Sequence, residues 1–116
     1  WETRRSRGPN HDWLILRLGR PASLVEIEVD TNHFKGNFPE SCRIEGCVAP
    51  AAYLPCDFRD QPVTWHEILP RHPLQAHTQH RFRGELVAGE RIFSHLRVTI
   101  FPDGGISRLR VLGRPQ

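Results

Sequence analysis

The sequence has no methionine, a single lysine (Lys35) and only three cysteines, and no apolar run approaches eighteen residues. Without an initiator, and opening on Trp1 with no lead-in, the chain reads as a piece of a longer protein. The missing apolar run excludes a transmembrane helix, and no signal peptide or targeting tail is found. Cys42, Cys47 and Cys56 are odd in number and include no C-x-x-C pair. That excludes a zinc ribbon and a full disulfide framework and suggests small buried thiols in a reducing compartment. With one lysine, the net charge of +3 is carried by arginines scattered along the chain. A nucleic-acid surface usually mixes and clusters both bases, and 9% aromatics are too few for a stacking platform. Arginine suits bidentate grip on carboxylates, which favours small anionic ligands over a polyanion.

Several catalytic signatures are absent as well. There is no G-x-S-x-G elbow and no glycine-rich phosphate loop. Seven histidines make metal worth testing, but no H-x-x-x-H helix or H-x-H strand occurs, so no metal and no cofactor is expected.

What is present is alternation. Leu14, Leu16 and Leu18 oppose Trp13, Ile15 and Arg17 over Asp12–Leu18, and Val25, Ile27 and Val29 alternate with acids over Ser23–Asp30. With Gly19-Arg20-Pro21 between them, these read as a hairpin. Further strands are expected at Cys42–Val48, Gln79–Leu86, Ser94–Phe101 and Ser107–Gly113, the last two joined as a hairpin through Pro102-Asp103-Gly104-Gly105. That hairpin would gather His95, Arg97, Arg108 and Arg110 on one face, with Glu26, Glu28 and Asp30 as counter-charges. Residues 49–64 read as a loop. Thr64–Leu69 is the one helix-like segment, with Thr64 and Glu67 at capping-box spacing and Pro70 as its stop. Short strands, ten prolines and nine glycines indicate one all-β domain, a sandwich or jelly roll.

Chemistry is densest after the second strand. In EVDTNHFKGNFP, Glu28–Pro39, an acid, an imidazole, an ammonium and two amides fall on one loop. Taken with WETRRSR and HDW near the start, and with HLRVTIFPDGGISRLRVLG near the end, this stretch resembles the allantoicase family. The resemblance covers nearly the whole chain and is weakest from Val48 to Pro62. It implies a jelly-roll sandwich of the galactose-binding type, here one repeat over residues 1–116 of a two-repeat chain, closer to the second copy and without an upstream edge strand. It also implies hydrolysis of allantoate to ureidoglycolate and urea in purine breakdown. The implied partners are the ureide, a companion repeat and further copies in a homo-oligomer, in the cytoplasm or peroxisome.

On that resemblance, Asp30, His33 and Glu2 are the candidate acid–base groups: His33 as proton donor, Asp30 as base or orienter. Arg4, Arg5, Lys35 and Arg97 are candidates for gripping the substrate carboxylate, and Thr31 and Asn37 for its ureido arms. Asp103 is a weaker candidate, since Asp before Gly-Gly suits a turn. The competing expectation is a non-catalytic jelly-roll module that binds or scaffolds, with Trp13 and Trp65 as the available sugar platforms.

Overall fold

The structure is a computed structural model and describes residues 11–54, 57–58 and 63–115. Its strands are β1 (Asp12–Asp30), β2 (Ser41–Cys47), β3 (His66–Pro73), β4 (Gln79–Phe82), β5 (Ile92–Phe101) and β6 (Arg108–Pro115). All pairings are antiparallel, in the order β3-β2-β5-β1-β4, with β6 also on β1.

β1 organises the molecule. Its first half pairs with β5, from Asp12↔Ile100 to Arg17↔His95. Its second half lies between β4 and β6, with Asp30 opposite both Gln79 and Arg108. The register shifts between Arg17 and Ala22, where Gly19-Arg20-Pro21 bends the strand without ending it. The expected hairpin is therefore one strand of 19 residues. Composition marked the bend correctly, but a bulged strand can turn there and keep its pairing. The sheet folds over at this bend into two packed layers, matching the 20 Å short dimension of the molecule.

The core fills the space between the layers. Ile27 and Val29 of β1, Ile44 of β2, Leu96, Val98 and Ile100 of β5 and Phe82 of β4 are all buried. Each fully buried aliphatic side chain contributes about 1.5–3 kcal/mol relative to exposure.

Three further expectations are corrected. The segment expected as a helix, Thr64–Leu69, runs into strand β3. Its consecutive Ile68 and Leu69 are both buried because the β2–β3 ladder shifts register there, so the period of two is lost. β5 and β6 are also not a hairpin, because β5 pairs with β1 and β2 while β6 pairs with β1. Their arginines part accordingly. Arg97 meets Glu45 of β2, whereas Arg110 lies 3.7 Å from Glu28. The strand expected over Gln79–Leu86 stops at Phe82.

Connections 31–40, 74–78 and 102–107 lie at the same end, because Asp30, Ser41, Pro73, Gln79, Phe101 and Arg108 are register neighbours there. Each passes from one layer to the other.

Candidate functional site at the crossing end

The three crossing connections are tied into one cap, largely by main-chain hydrogen bonds. Thr31 is the central knot. Its N–H donates to Thr78 O at 2.9 Å, and its hydroxyl reaches Gln75 O at 2.6 Å while accepting the Thr78 N–H at 3.0 Å. Leu74 N–H donates to Glu40 O, Gly105 N–H to Asn37 O, and Ser107 N–H to Asp30 O, each at 2.8 Å. Glycine is required where 34–39 meets 104–105. A Cβ on Gly104, whose φ is +131°, would lie 2.7 Å from the Phe38 carbonyl carbon, and one on Gly105 would enter the Phe34 ring.

Asp30 is buried at the base of this cap. Its Oδ1 accepts the Asn32 N–H at 2.7 Å, an Asx-turn, and its Oδ2 faces the Gln79 amide at 3.4 Å. Burial alone would raise its pKa. Hydrogen bonds from Asn32, Gln79 and Ser107 and the charge of Arg108 outweigh burial and hold the carboxyl below the ordinary carboxylate range. Asp30 is thus an ionised anchor for the turn that follows.

That turn runs Thr31–Phe34, closed by Phe34 N–H to Thr31 O at 3.0 Å. His33 occupies its third position with φ +74°, the type II geometry that usually takes glycine. Its N–H donates to Nδ1 of His77 at 2.8 Å, so His77 carries its proton on Nε2. His77 is also left-handed, at φ +49°, and its own N–H returns to Phe34 O at 3.2 Å. The two rings meet edge to face at 5.8 Å. The His33 and Lys35 side chains are exposed beside this pair, and Asn37 is half-buried.

The structure therefore brings Asp30, Thr31, His33, Lys35 and Asn37 to one end, but on different terms. Thr31 is fully buried and its hydroxyl is committed to the cap, while His33 and Lys35 face solvent. Arg97 is not with them. It lies four residues along β5 from Phe101, about 14 Å at strand rise. There it donates Nε and Nη2 to Glu45 Oε1 at 3.1 and 2.9 Å and stacks on Trp65 at 4.4 Å. Glu2, Arg4 and Arg5 fall outside the described residues. His77 and Glu45 were not singled out from sequence. His77 pairs with His33 across 44 positions, and Glu45 with Arg97 across 52, so no local spacing marks either. Among the described residues no three His, Cys, Asp or Glu side chains are grouped to hold a metal ion, and no helix is long and apolar enough to cross a membrane.

A family profile described as the allantoicase repeat matches residues 1–116. The allantoicase of Dictyostelium discoideum is 49% identical over 111 residues, covering 96% of this chain and 30% of its own length. A probable allantoicase of Pseudomonas paraeruginosa is 48% identical over 116 residues, 100% of this chain and 34% of its own. The chain thus spans about a third of the length of these relatives. The crystal structure of allantoicase from Saccharomyces cerevisiae superposes with a TM-score of 0.79 at 36% identity, over 97% of this chain and 31% of that one.

Proposed function

The chain belongs to the allantoicase family, and from that premise we propose that it is one repeat of an enzyme that hydrolyses allantoate to ureidoglycolate and urea. The match along all 116 residues is the observation that carries this reading. The reaction breaks the bond between the central carbon and a ureido nitrogen. The carbon gains the oxygen of water, and the departing nitrogen gains a proton. Urea nitrogen leaves poorly as an anion, so a positioned acid is worth about 10²–10⁴-fold.

His33 is our choice for that acid. Its imidazole is exposed, yet its backbone is fixed by the turn and by His77. Asp30 positions the turn, a narrower role than that of a base, because its oxygens face Asn32 and Gln79. Lys35 holds the substrate carboxylate and Asn37 a ureido arm. Thr31 acts through the cap it ties. Glu2, Arg4 and Arg5 enter the proposal by family resemblance alone, as base and carboxylate ligands. A companion repeat in the same polypeptide belongs to the same reading, supported by relatives about three times as long, and assembly into a homo-oligomer enters it by family resemblance alone. Two buried free thiols suit a reducing compartment, cytoplasmic or peroxisomal.

The test is urea release from allantoate by this chain and by a longer polypeptide carrying both repeats. His33→Ala should lower kcat by about 10²–10⁴-fold. Full activity in His33→Ala removes the proton-donor role. No urea from either polypeptide removes the reaction itself.

A further inference from the structure

We propose that a cleft between β1 and the connection after β2 binds a neutral aromatic compound of one or two rings that carries an O–H or N–H donor. Trp13, Ile15 and Arg17 form its β1 side, Tyr53 and Phe58 its other side, and His95 of β5 lies deepest, 2% exposed. The volume is about 290 Å³. Roughly 150 Å³ of apolar cavity suffices for benzene, so one or two rings are accommodated and a larger ligand is not.

Alternation and register build the cleft. Trp13, Ile15 and Arg17 alternate with the inward leucines of β1 and so share its outer face, and pairing sets Arg17 beside His95. The connection is held over that face at two points. Arg17 Nη1 donates to Ala51 O at 3.2 Å, and Ala49 N–H donates to Ser94 Oγ at 2.8 Å. Tyr53 then stands edge-on to Phe58 at 5.4 Å, and Phe58 lies 4.9 Å from the His95 ring. An aromatic cluster serving packing alone would close on itself. This one leaves Trp13 52% exposed beside open volume.

His95 sets the chemistry of the ligand. Its Nδ1 lies 2.8 Å from Ser94 Oγ. The same hydroxyl faces Ala49 O at 3.2 Å and Cys47 O at 3.3 Å, which only accept, so its proton goes to them and Nδ1–H donates to Oγ. Nε2 then carries the lone pair, and among the described residues it has no hydrogen-bond partner. Burial and the Arg17 charge hold the imidazole below its ordinary pKa, so that lone pair is kept at neutral pH. An acceptor in an apolar recess selects a ring with a donor, because a ring without one leaves it unsatisfied. The Arg17 guanidinium disfavours a cationic ring.

His95 is six residues along β5 from Phe101, about 20 Å at strand rise, so the cleft lies apart from the crossing end. The 116-residue chain is titrated with phenol, and with anisole, which keeps the ring and oxygen but lacks the O–H. NMR follows the Trp13 indole N–H and the His95 ring. Phenol should shift both and saturate below about 5 mM, with anisole at least about tenfold weaker. The His95 ring nitrogens should show the proton on Nδ1. His95→Phe keeps a ring and removes the acceptor, so phenol should fall to the level of anisole. Trp13→Ala removes one wall and should weaken both compounds alike, by about threefold or more. Should His95→Phe fail to fold, the ratio of the two affinities in the parent and in Trp13→Ala decides. Equal affinity for the two compounds, no saturation by about 50 mM phenol, a proton on Nε2, or shifts that spare both rings overturns the site.

Discussion

Thr31→Val is the sharpest probe of whether the cap is held as described. Valine keeps the volume and β-branching of threonine, so packing is preserved while the hydroxyl is deleted. That hydroxyl donates towards Gln75 O at 2.6 Å and accepts the Thr78 N–H at 3.0 Å. Losing the donated bond costs about 0.5–1.5 kcal/mol net, and a stranded Thr78 N–H adds about 1–3 kcal/mol. Thr31 is fully buried, so a water molecule does not readily take the place of the lost oxygen. The total is about 1.5–4.5 kcal/mol, large against the roughly 5–15 kcal/mol of a typical domain. Urea unfolding followed by circular dichroism measures it, with hydrogen exchange at the Thr78 amide as the local reporter. Thr31→Ser keeps the hydroxyl and should lose only about the 0.8 kcal/mol of one buried methyl. The reasoning fails if valine lies within about 0.5 kcal/mol of the parent, or if serine loses as much as valine.

Acid should weaken the fold in two stages. Burial, with the charge of Arg17, holds the His95 imidazole below its ordinary value. Its contribution is therefore complete above the ordinary histidine range and is lost as pH falls through it. Asp30, also held low, loses its contribution below the ordinary carboxylate range. Urea unfolding from neutral pH down to about 3 should show the first decline vanish in His95→Gln and the second in Asp30→Asn; two unchanged declines refute the assignments. Burial pushes the Cys42 thiol up to about 12 and the Cys47 thiol to about 11, the latter against the opposing charge of Arg97. In a Cys56→Ser background neither should react with iodoacetamide at mildly alkaline pH until denaturant is added, and rapid labelling of the folded chain contradicts that. Both thiols lend stability that is complete below the ordinary thiol range and declines above it.

The strands were legible where alternation is clean, as in β5, whose Leu96, Val98 and Ile100 are buried as expected. Partnership was not, because period two says which residues share a face and nothing about which strand lies alongside. Hence β5 and β6 were read as neighbours although a layer crossing separates them. The helix reading of Thr64–Leu69 failed for a related reason: a bulge places Ile68 and Leu69 side by side in the core and erases the alternation. At the crossing end, sequence alone marked the polar loop because its residues are contiguous. It missed His77, which reaches that loop from the β3–β4 connection, and it grouped Arg97 with the loop because no spacing reveals the register that sets Arg97 against Glu45.

The shared strand β1 has a consequence for the chain as it leaves the ribosome. Asp30 meets Gln79 across 49 positions and Ser107 across 77, and among the described strands none of the partners of β1 is made before residue 79. At about 5–20 residues per second, β1 waits roughly 2–15 s with its edges unsatisfied. During that interval its leucines and valines are open to any other strand nearby. Among the described strands, the one element on which both layers depend is thus made before all of its partners and sheltered last. Slowing translation after Asp30 lengthens the exposure, while a chaperone that covers residues 12–30 shortens it.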